Sequence, residues 1–362
     1  MPSDSVAASD SSAQPGQGGG LLTPSFMGLV ATQFLVALND NIFRWLLIPI
    51  GKTVVEQHDI ILPGSTEPVG SDFVLAAGSA CFLLPFLLLA APAGYAADKF
   101  NKRNVMIGCK VAEIVIMILG ILVILSGNLY IMFFVLFLMG AQSAIFSPSK
   151  YSSIPELVRP DRISAANGVI GMTTMFAIIG GTVVGNYLFT WTTLPADQAT
   201  AGQAVLPGQH NWWISAAVLI GVAVAGWIAS LFIGQLKPAN PKRVFPRNPA
   251  AQTLKDLATL AANRPILLAA LGSAYFWAVG AVAQLNIDKF AQFELLVQQQ
   301  FVGVLLGVLV LGIGVGSFLA GIWSAGKIEL GIVPLGAAGM AIAAICMSMV
   351  PAGTGNAASA PY

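Results

Sequence analysis

The chain is poor in charge. Asp, Glu, Lys and Arg together make up 9% of its 362 residues, whereas a soluble domain carries about 25%. So few charges cannot cover a water-facing surface, which excludes an ordinary soluble domain, and a net charge of +1 gives no indication of a nucleic-acid partner. Cysteine is scarce too. Cys81, Cys109 and Cys346 lie far apart in apolar runs without ligand spacing, which argues against a disulfide framework or a metal site and for small buried hydrophobes. The two histidines, His58 and His210, fall in connecting segments, so no catalytic His constellation is expected. Neither a cofactor nor an enzymatic activity is expected. The first 24 residues contain no Lys or Arg, so they lack the basic region of a secretory signal. Their Ser, Gly, Ala, Gln and Pro content predicts a disordered tail.

What the chain has in abundance is apolar runs; hydrophobic residues make up 56% of it. Runs lie near 26–50, 72–97, 105–126, 129–148, 164–188, 212–235, 266–288, 301–324 and 330–350. Each is close to the roughly 20 residues a helix needs to cross the hydrocarbon core. Strand alternation is absent, and backbone satisfaction in lipid favours a helical bundle. Glycine-rich stretches such as 178–185 and 303–316 predict close helix contacts, and Pro49, Pro85 and Pro92 predict kinks.

The loop cations set an orientation. Lys99, Lys102 and Arg103 follow the second run, Lys150, Arg159 and Arg162 the fourth, and Lys237, Lys242, Arg243, Arg247, Lys255 and Arg264 the sixth. Lys327 follows the eighth. The alternate loops are nearly bare. The bias predicts a cytoplasmic N-terminus and an outer loop at 189–211. Residues 236–265 join a Pro-rich basic stretch to a segment with Leu254, Leu257 and Leu260 on roughly one side, which predicts an amphipathic helix at the inner surface. The expected division is a tail over 1–24, a six-helix bundle over 25–235, a linker over 236–265 and a partial three-helix bundle over 266–362. Six spans plus three do not close a two-fold repeat, so a sequence stopping before three further spans is expected.

The segment 92–106, PAGYAADKFNKRNVM, is a short charged elbow between two runs, and a degraded echo of it lies at 319–337, six spans on. Parallel six-span repeats are the plan of the major facilitator class. The elbow GYAADKFNKRNVM resembles the signature loop of the major facilitator superfamily, with its Gly, Asp and basic residues. TQFLVALNDN (32–41) and the stretch 140–168, especially SPSKY and AANG, are similar to the bacterial lysophospholipid transporter family. That resemblance implies an all-α major facilitator fold in the bacterial cytoplasmic membrane. It also implies flipping of a lysophospholipid, notably lysophosphatidylethanolamine, to the inner leaflet, where an acyltransferase, fused or separate, restores the second chain. Membrane lipids are the remaining partners. Two further readings stand beside it: a proton-coupled exporter of small amphiphiles or drugs, and a transport-inactive membrane module of a fused phospholipid acyltransferase.

Site candidates follow from charges inside spans, which cost roughly 2.5–3.5 kcal/mol each on insertion scales. Asp40 lies mid-span and Arg44 is four residues on, sharing its face. They form either a self-neutralising local pair or a polar face on a central cavity, and the resemblance supports the second role for Asp40. Gln142 and Gln284 complete the expected substrate-binding set, with Gln142 and Ser143 equally readable as a helix–helix hydrogen bond. Asp40 and Glu113 are candidates for ion coupling, Glu113 reading first as a structural partner of Lys110 or of a neighbouring helix. Where relatives carry an Arg in the seventh helix and a Glu in the fifth, the resemblance places Gln284 and Gly171. Gly94, Asp98, Lys102, Arg103, Arg159 and Arg162 are the expected gating residues, with Asp98 capping a helix or pairing with Arg159 or Arg162.

Overall fold

The structure is a computed structural model that describes residues 19–58, 68–193, 208–293, 299–324 and 331–349. The expected tail up to residue 18, most of the 189–211 loop, Lys327 and the stretch from 350 onward lie outside the described residues. The described helices are α1 (Pro24–His58), α2 (Ser71–Leu88), α3 (Ala90–Lys99), α4 (Lys102–Ser126), α5 (Leu129–Leu157), α6 (Ile163–Thr192) and α7 (Trp212–Leu231), then α8 (Pro249–Ala262), α9 (Arg264–Phe293), α10 (Gln299–Trp323) and α11 (Ile332–Ser348). There is no β-strand among the described residues.

Five helices, α1, α4, α5, α6 and α7, are each long and apolar enough to cross a membrane. The second expected span is instead a broken pair, with α2 and α3 meeting at 52°. Pro92 explains the break. It has no N–H to give the carbonyl of Leu88, four residues back, and its ring crowds that carbonyl; α2 ends at Leu88. Pro49 and Pro85, also expected to kink their spans, sit inside uninterrupted helices. The α4–α5 connection is short because Gly127 takes the left-handed conformation (φ 66°) that ends α4. Asn128 then caps α5, accepting from the N–H groups of Tyr130 and Ile131 at 3.0 and 3.2 Å.

The first seven helices pack around α1, which runs along α6 and α7 and also touches α2 and α5; α4 lies between α5 and α7. Between helices in lipid the hydrophobic effect gives no net drive, so close backbone approach has to supply the attraction. Gly181 and Gly185 on α6 provide it. A Cβ at Gly181 would lie 2.6 Å from the carbonyl oxygen of Leu38, and one at Gly185 would lie 2.6 Å from that of Ile42. Substituting Ala at Gly181 therefore forces α1 and α6 apart. The expected effect is a loss of about 1–3 kcal/mol, the usual range for overpacking, read as a lower unfolding midpoint in detergent. Gly180→Ala is the control, because its nearest neighbour across the interface is Leu38 Cδ1 at 3.4 Å.

Two large apolar clusters, with a small third one around Val55, Val74 and Leu129, form the core of this half. One contains Ile42, Phe43 and Leu46 of α1 with Met117, Ile121, Val135, Met139 and Leu219. The other contains Phe26, Leu29 and Val36 of α1 with Met106, Cys109, Phe146, Ile154 and Ile170. On α1, α4 and α5 alike, the residues between the two clusters are polar: Asn39 and Asp40, Lys110 and Glu113, Gln142 and Ser143. The bundle is thus two greasy layers with a polar layer between them. Beyond it, α10 packs on α6, and α9 touches α10 and α8.

Candidate functional site: a polar layer inside the first bundle

Residues seven and four apart fall on one helix face, so α1 presents Gln33, Asp40 and Arg44 along a single stripe and turns Asn39 toward α4. On the α4 side the charged groups are paired with one another, and Asn39 Oδ1 is the polar atom there left without a partner among the described residues. Lys110 Nζ lies 2.5 Å from Glu113 Oε2, and neither side chain is exposed at all. Asn39 Nδ2 donates to Glu113 Oε1 at 2.8 Å. Gly226 of α7 makes the space for this pair, since a Cβ there would sit 2.5 Å from Lys110 Nζ. Glu113 thus binds Lys110 and a neighbouring helix together.

On the α5 side the layer is open. Asp40 Oδ2 accepts from Ser143 Oγ at 2.6 Å, and the same hydroxyl lies 3.0 Å from Gln142 Oε1. Asp40 Oδ1 and Gln142 Nε2 are buried without a hydrogen-bond partner among the described residues. An unmet buried polar group costs about 1–3 kcal/mol, so this acceptor and this donor mark a place built for a further polar group.

Arg44 does not form the local pair that its spacing from Asp40 allows. No Asp40–Arg44 ion pair within 4 Å occurs among the described residues, because Ser143 holds the carboxylate and the guanidinium turns away. Arg44 Nη2 donates to Asn41 Oδ1 at 3.2 Å, and its guanidinium lies 5.8 Å from the Phe82 ring of α2.

One residue of the layer's surroundings escapes the sequence reading. The sequence places Lys150 in the loop after the fourth span, but α5 continues to Leu157 and carries it. Its Nζ lies 3.3 Å from Gln33 Oε1 and 4.3 Å from the Tyr151 ring centroid, with no carboxylate within 4 Å among the described residues. Gln33 in turn donates to Thr174 Oγ1 of α6 at 2.5 Å. Pro148 hid the continuation. Pro148 takes away the N–H that would reach the carbonyl of Ala144, four residues back, yet α5 runs through it uninterrupted to Leu157. The available signal was the seven-residue spacing from Ser143, two helical turns on the same face.

Gln284 lies on α9, but its side chain falls outside the described residues. Gly171, where the resemblance expects a carboxylate, faces α10: a Cβ there would be 3.4 Å from Ser317 Cβ. A larger side chain would meet α10 directly.

The elbow makes different contacts from those expected. Asp98 is ion-paired with Arg243 of the linker, and its carbonyl accepts from the Asn240 N–H at 2.8 Å. Arg159 and Arg162 are each 3.5 Å from Asp161, the acid between them on a single 3-10 turn, and not at Asp98. The linker folds over the elbow, and its Arg243 takes the place expected for Arg159 or Arg162. Lys102 is buried, ion-paired with Glu156 and 3.3 Å from the Ser152 carbonyl. Arg103 Nη2 donates to the Leu231 carbonyl at 3.0 Å. A Cβ at Gly94 would meet nothing within 4 Å.

A helical membrane bundle with its charged elbow at one end and a polar layer inside has the features of a transporter fold, and the Major Facilitator Superfamily model matches residues 19–360. The chain belongs to the major facilitator superfamily. Among curated proteins it is similar to the lysophospholipid transporter LplT of Pectobacterium carotovorum subsp. carotovorum (strain PC1), 25% identical over 299 residues, which are 82% of this chain and 64% of that relative. The LplT of Photorhabdus laumondii subsp. laumondii is 26% identical over 302 residues (82% and 65%). The LplT of Cronobacter sakazakii (strain ATCC BAA-894) is 25% identical over 265 residues (72% and 56%). The chain thus spans less than two thirds of the length of each of these relatives.

Proposed function

We propose that the chain is the membrane part of a lysophospholipid transporter. It works by alternating access in the bacterial cytoplasmic membrane, with its N-terminus, elbow and linker in the cytoplasm. It moves lysophosphatidylethanolamine to the inner leaflet, where an acyltransferase takes it up. The observation that carries this reading is the arrangement along α1. Asp40, with a free carboxylate oxygen, lies between two cations that have no carboxylate within 4 Å among the described residues: Arg44 on one side, and Lys150, reached through Gln33, on the other. By helix rise Arg44 is about 6 Å and Gln33 about 10 Å along the axis from Asp40. One anion flanked by cations complements a zwitterionic headgroup, with the ammonium at Asp40 and the phosphate at Lys150 or Arg44. Gln142 adds a hydrogen-bond donor. Glu113 has both oxygens engaged, so Asp40 is the carboxylate of the layer that is open to a ligand.

The test is stabilisation of the purified protein by ligand, since a ligand that binds only the folded state raises its apparent stability. Lysophosphatidylethanolamine raises the unfolding midpoint well above the effect of a monoacylglycerol of the same chain length. Lys150→Gln weakens the apparent affinity for the lysophospholipid by about 10- to 100-fold, the loss of one charged hydrogen bond worth about 1.5–3 kcal/mol. Equal stabilisation by the uncharged amphiphile overturns the reading and favours export of non-specific amphiphiles.

A further inference from the structure

The linker between α7 and α8 is tied down on the elbow at several points. Besides the Asp98–Arg243 pair and the Asn240 N–H bond, Asn101 Nδ2 donates to Gln235 Oε1 at 2.8 Å, and Tyr95 of α3 meets Phe245 edge-on at 5.1 Å between ring centroids. The Asp98–Arg243 pair is open to its surroundings, with side chains 40% and 28% exposed. An exposed pair of this kind contributes little and is readily exchanged for another anion.

From 236 to 264 the segment carries six cations and a single acid, Asp256. Lys237, Lys242, Arg247, Lys255 and Arg264 are exposed and form no ion pair among the described residues. The helix that follows is equally one-sided. Leu254 and Leu257 of α8 are 68% and 54% exposed, and helical spacing puts Ala250, Ala258 and Ala261 beside them. The α8 axis turns 111° from α9, so with α9 crossing the membrane, α8 runs close to the membrane plane. A one-sided apolar helix that follows a basic stretch next to the spanning α7 fits the headgroup boundary of a bilayer. Clustered cations next to spanning helices are drawn to anionic lipid surfaces.

We propose that this segment is a binding surface for anionic phospholipid of the leaflet on its own side, and that it is also a latch. Arg243 exchanges the Asp98 carboxylate for a lipid phosphate, while Lys242 and Arg247 bring that phosphate to it. Anionic lipid thereby releases the linker from the elbow, and the conformational freedom of the elbow depends on the composition of the membrane. The favoured occupant is lipid rather than an acidic protein, because the segment leaves the membrane-crossing α7, leads into the apolar α9, and carries its apolar stripe beside the charges.

The test is cross-linking of the full chain in vesicles, with Cys81, Cys109 and Cys346 replaced by Ala and a cysteine pair introduced by Tyr95→Cys and Phe245→Cys. In neutral phosphatidylcholine vesicles a short thiol cross-linker joins the pair, and Asp98→Asn slows the joining. With about one third phosphatidylglycerol the rate falls by about threefold or more, as expected of cations transferred to an anionic surface. In K242Q/R247Q the rate in neutral vesicles is unchanged and the lipid effect is lost. A rate indifferent to phosphatidylglycerol overturns the proposal, as does a lipid effect that survives in K242Q/R247Q. Inorganic phosphate reproducing the effect in neutral vesicles also overturns it, by showing a free-anion site. No transported lipid enters the assay, so its outcome is separate from that of the proposed function.

Discussion

Asp40→Asn lowers lysophosphatidylethanolamine transport by about 10- to 100-fold while leaving the protein folded. Asn keeps the size of the side chain and an oxygen that accepts from Ser143 Oγ, the contact now at 2.6 Å. What it loses is the negative charge at the oxygen that has no partner in the bundle. A hydrogen bond to a charged group is worth about 1.5–3 kcal/mol, which is the stated range in rate or affinity. Removing a carboxylate from a buried position also relieves its desolvation, so the unfolding midpoint stays level or rises. Transport in vesicles and unfolding in detergent, measured on the same preparation, check the two halves of the expectation. Full transport by the Asn variant would remove Asp40 from the site.

The largest effect on stability is expected at Lys110. Lys110→Met leaves Glu113, wholly buried, with an amide from Asn39 and no cation. Breaking a buried pair from one side costs about 3–5 kcal/mol, whereas replacing both members with apolar residues is often neutral. The single variant is expected to accumulate poorly and unfold early, and Lys110→Met with Glu113→Met to recover most of the loss. Gly226→Val produces the same lesion from the other side, because its side chain would enter the space that Lys110 Nζ occupies at 2.5 Å from a Cβ. The double variant also separates structure from coupling. If the pair only holds the bundle, the double variant transports; a stable double variant without transport would instead assign Glu113 to ion coupling.

The legible and illegible parts of this molecule divide along one physical line. Apolar runs, the elbow and the capping turns are local, and hydropathy or a few adjacent residues specify them. The glycines of 178–185 are one such case: they predict a close helix contact, although that α1 is the partner is not written locally. Partner choice depends on helices distant in sequence. Asp40 selects Ser143 over Arg44, although Arg44 is on its own face. Asp98 selects Arg243, 145 residues away, over Arg159 and Arg162. Lys150 is illegible for a different reason. A proline two residues after Phe146, closing the run 129–148, reads as an end, and only the surrounding helices show that α5 continues through it. The polar layer itself was visible residue by residue. Its organisation into a closed half at Glu113 and an open half at Asp40 needed the packing of α1, α4, α5 and α7.

The central claim is that this bundle recognises and moves a zwitterionic single-chain phospholipid. The most direct measurement follows fluorescent lysophosphatidylethanolamine in vesicles containing the full chain, scoring at intervals the fraction that external albumin can extract. The account predicts a protein-dependent change in that fraction, competed by unlabelled lysophosphatidylethanolamine but not by monoacylglycerol, and strongly reduced in Asp40→Asn. An extractable fraction that changes no faster than in protein-free vesicles, with amphiphilic dyes moved by the same preparation, would contradict it.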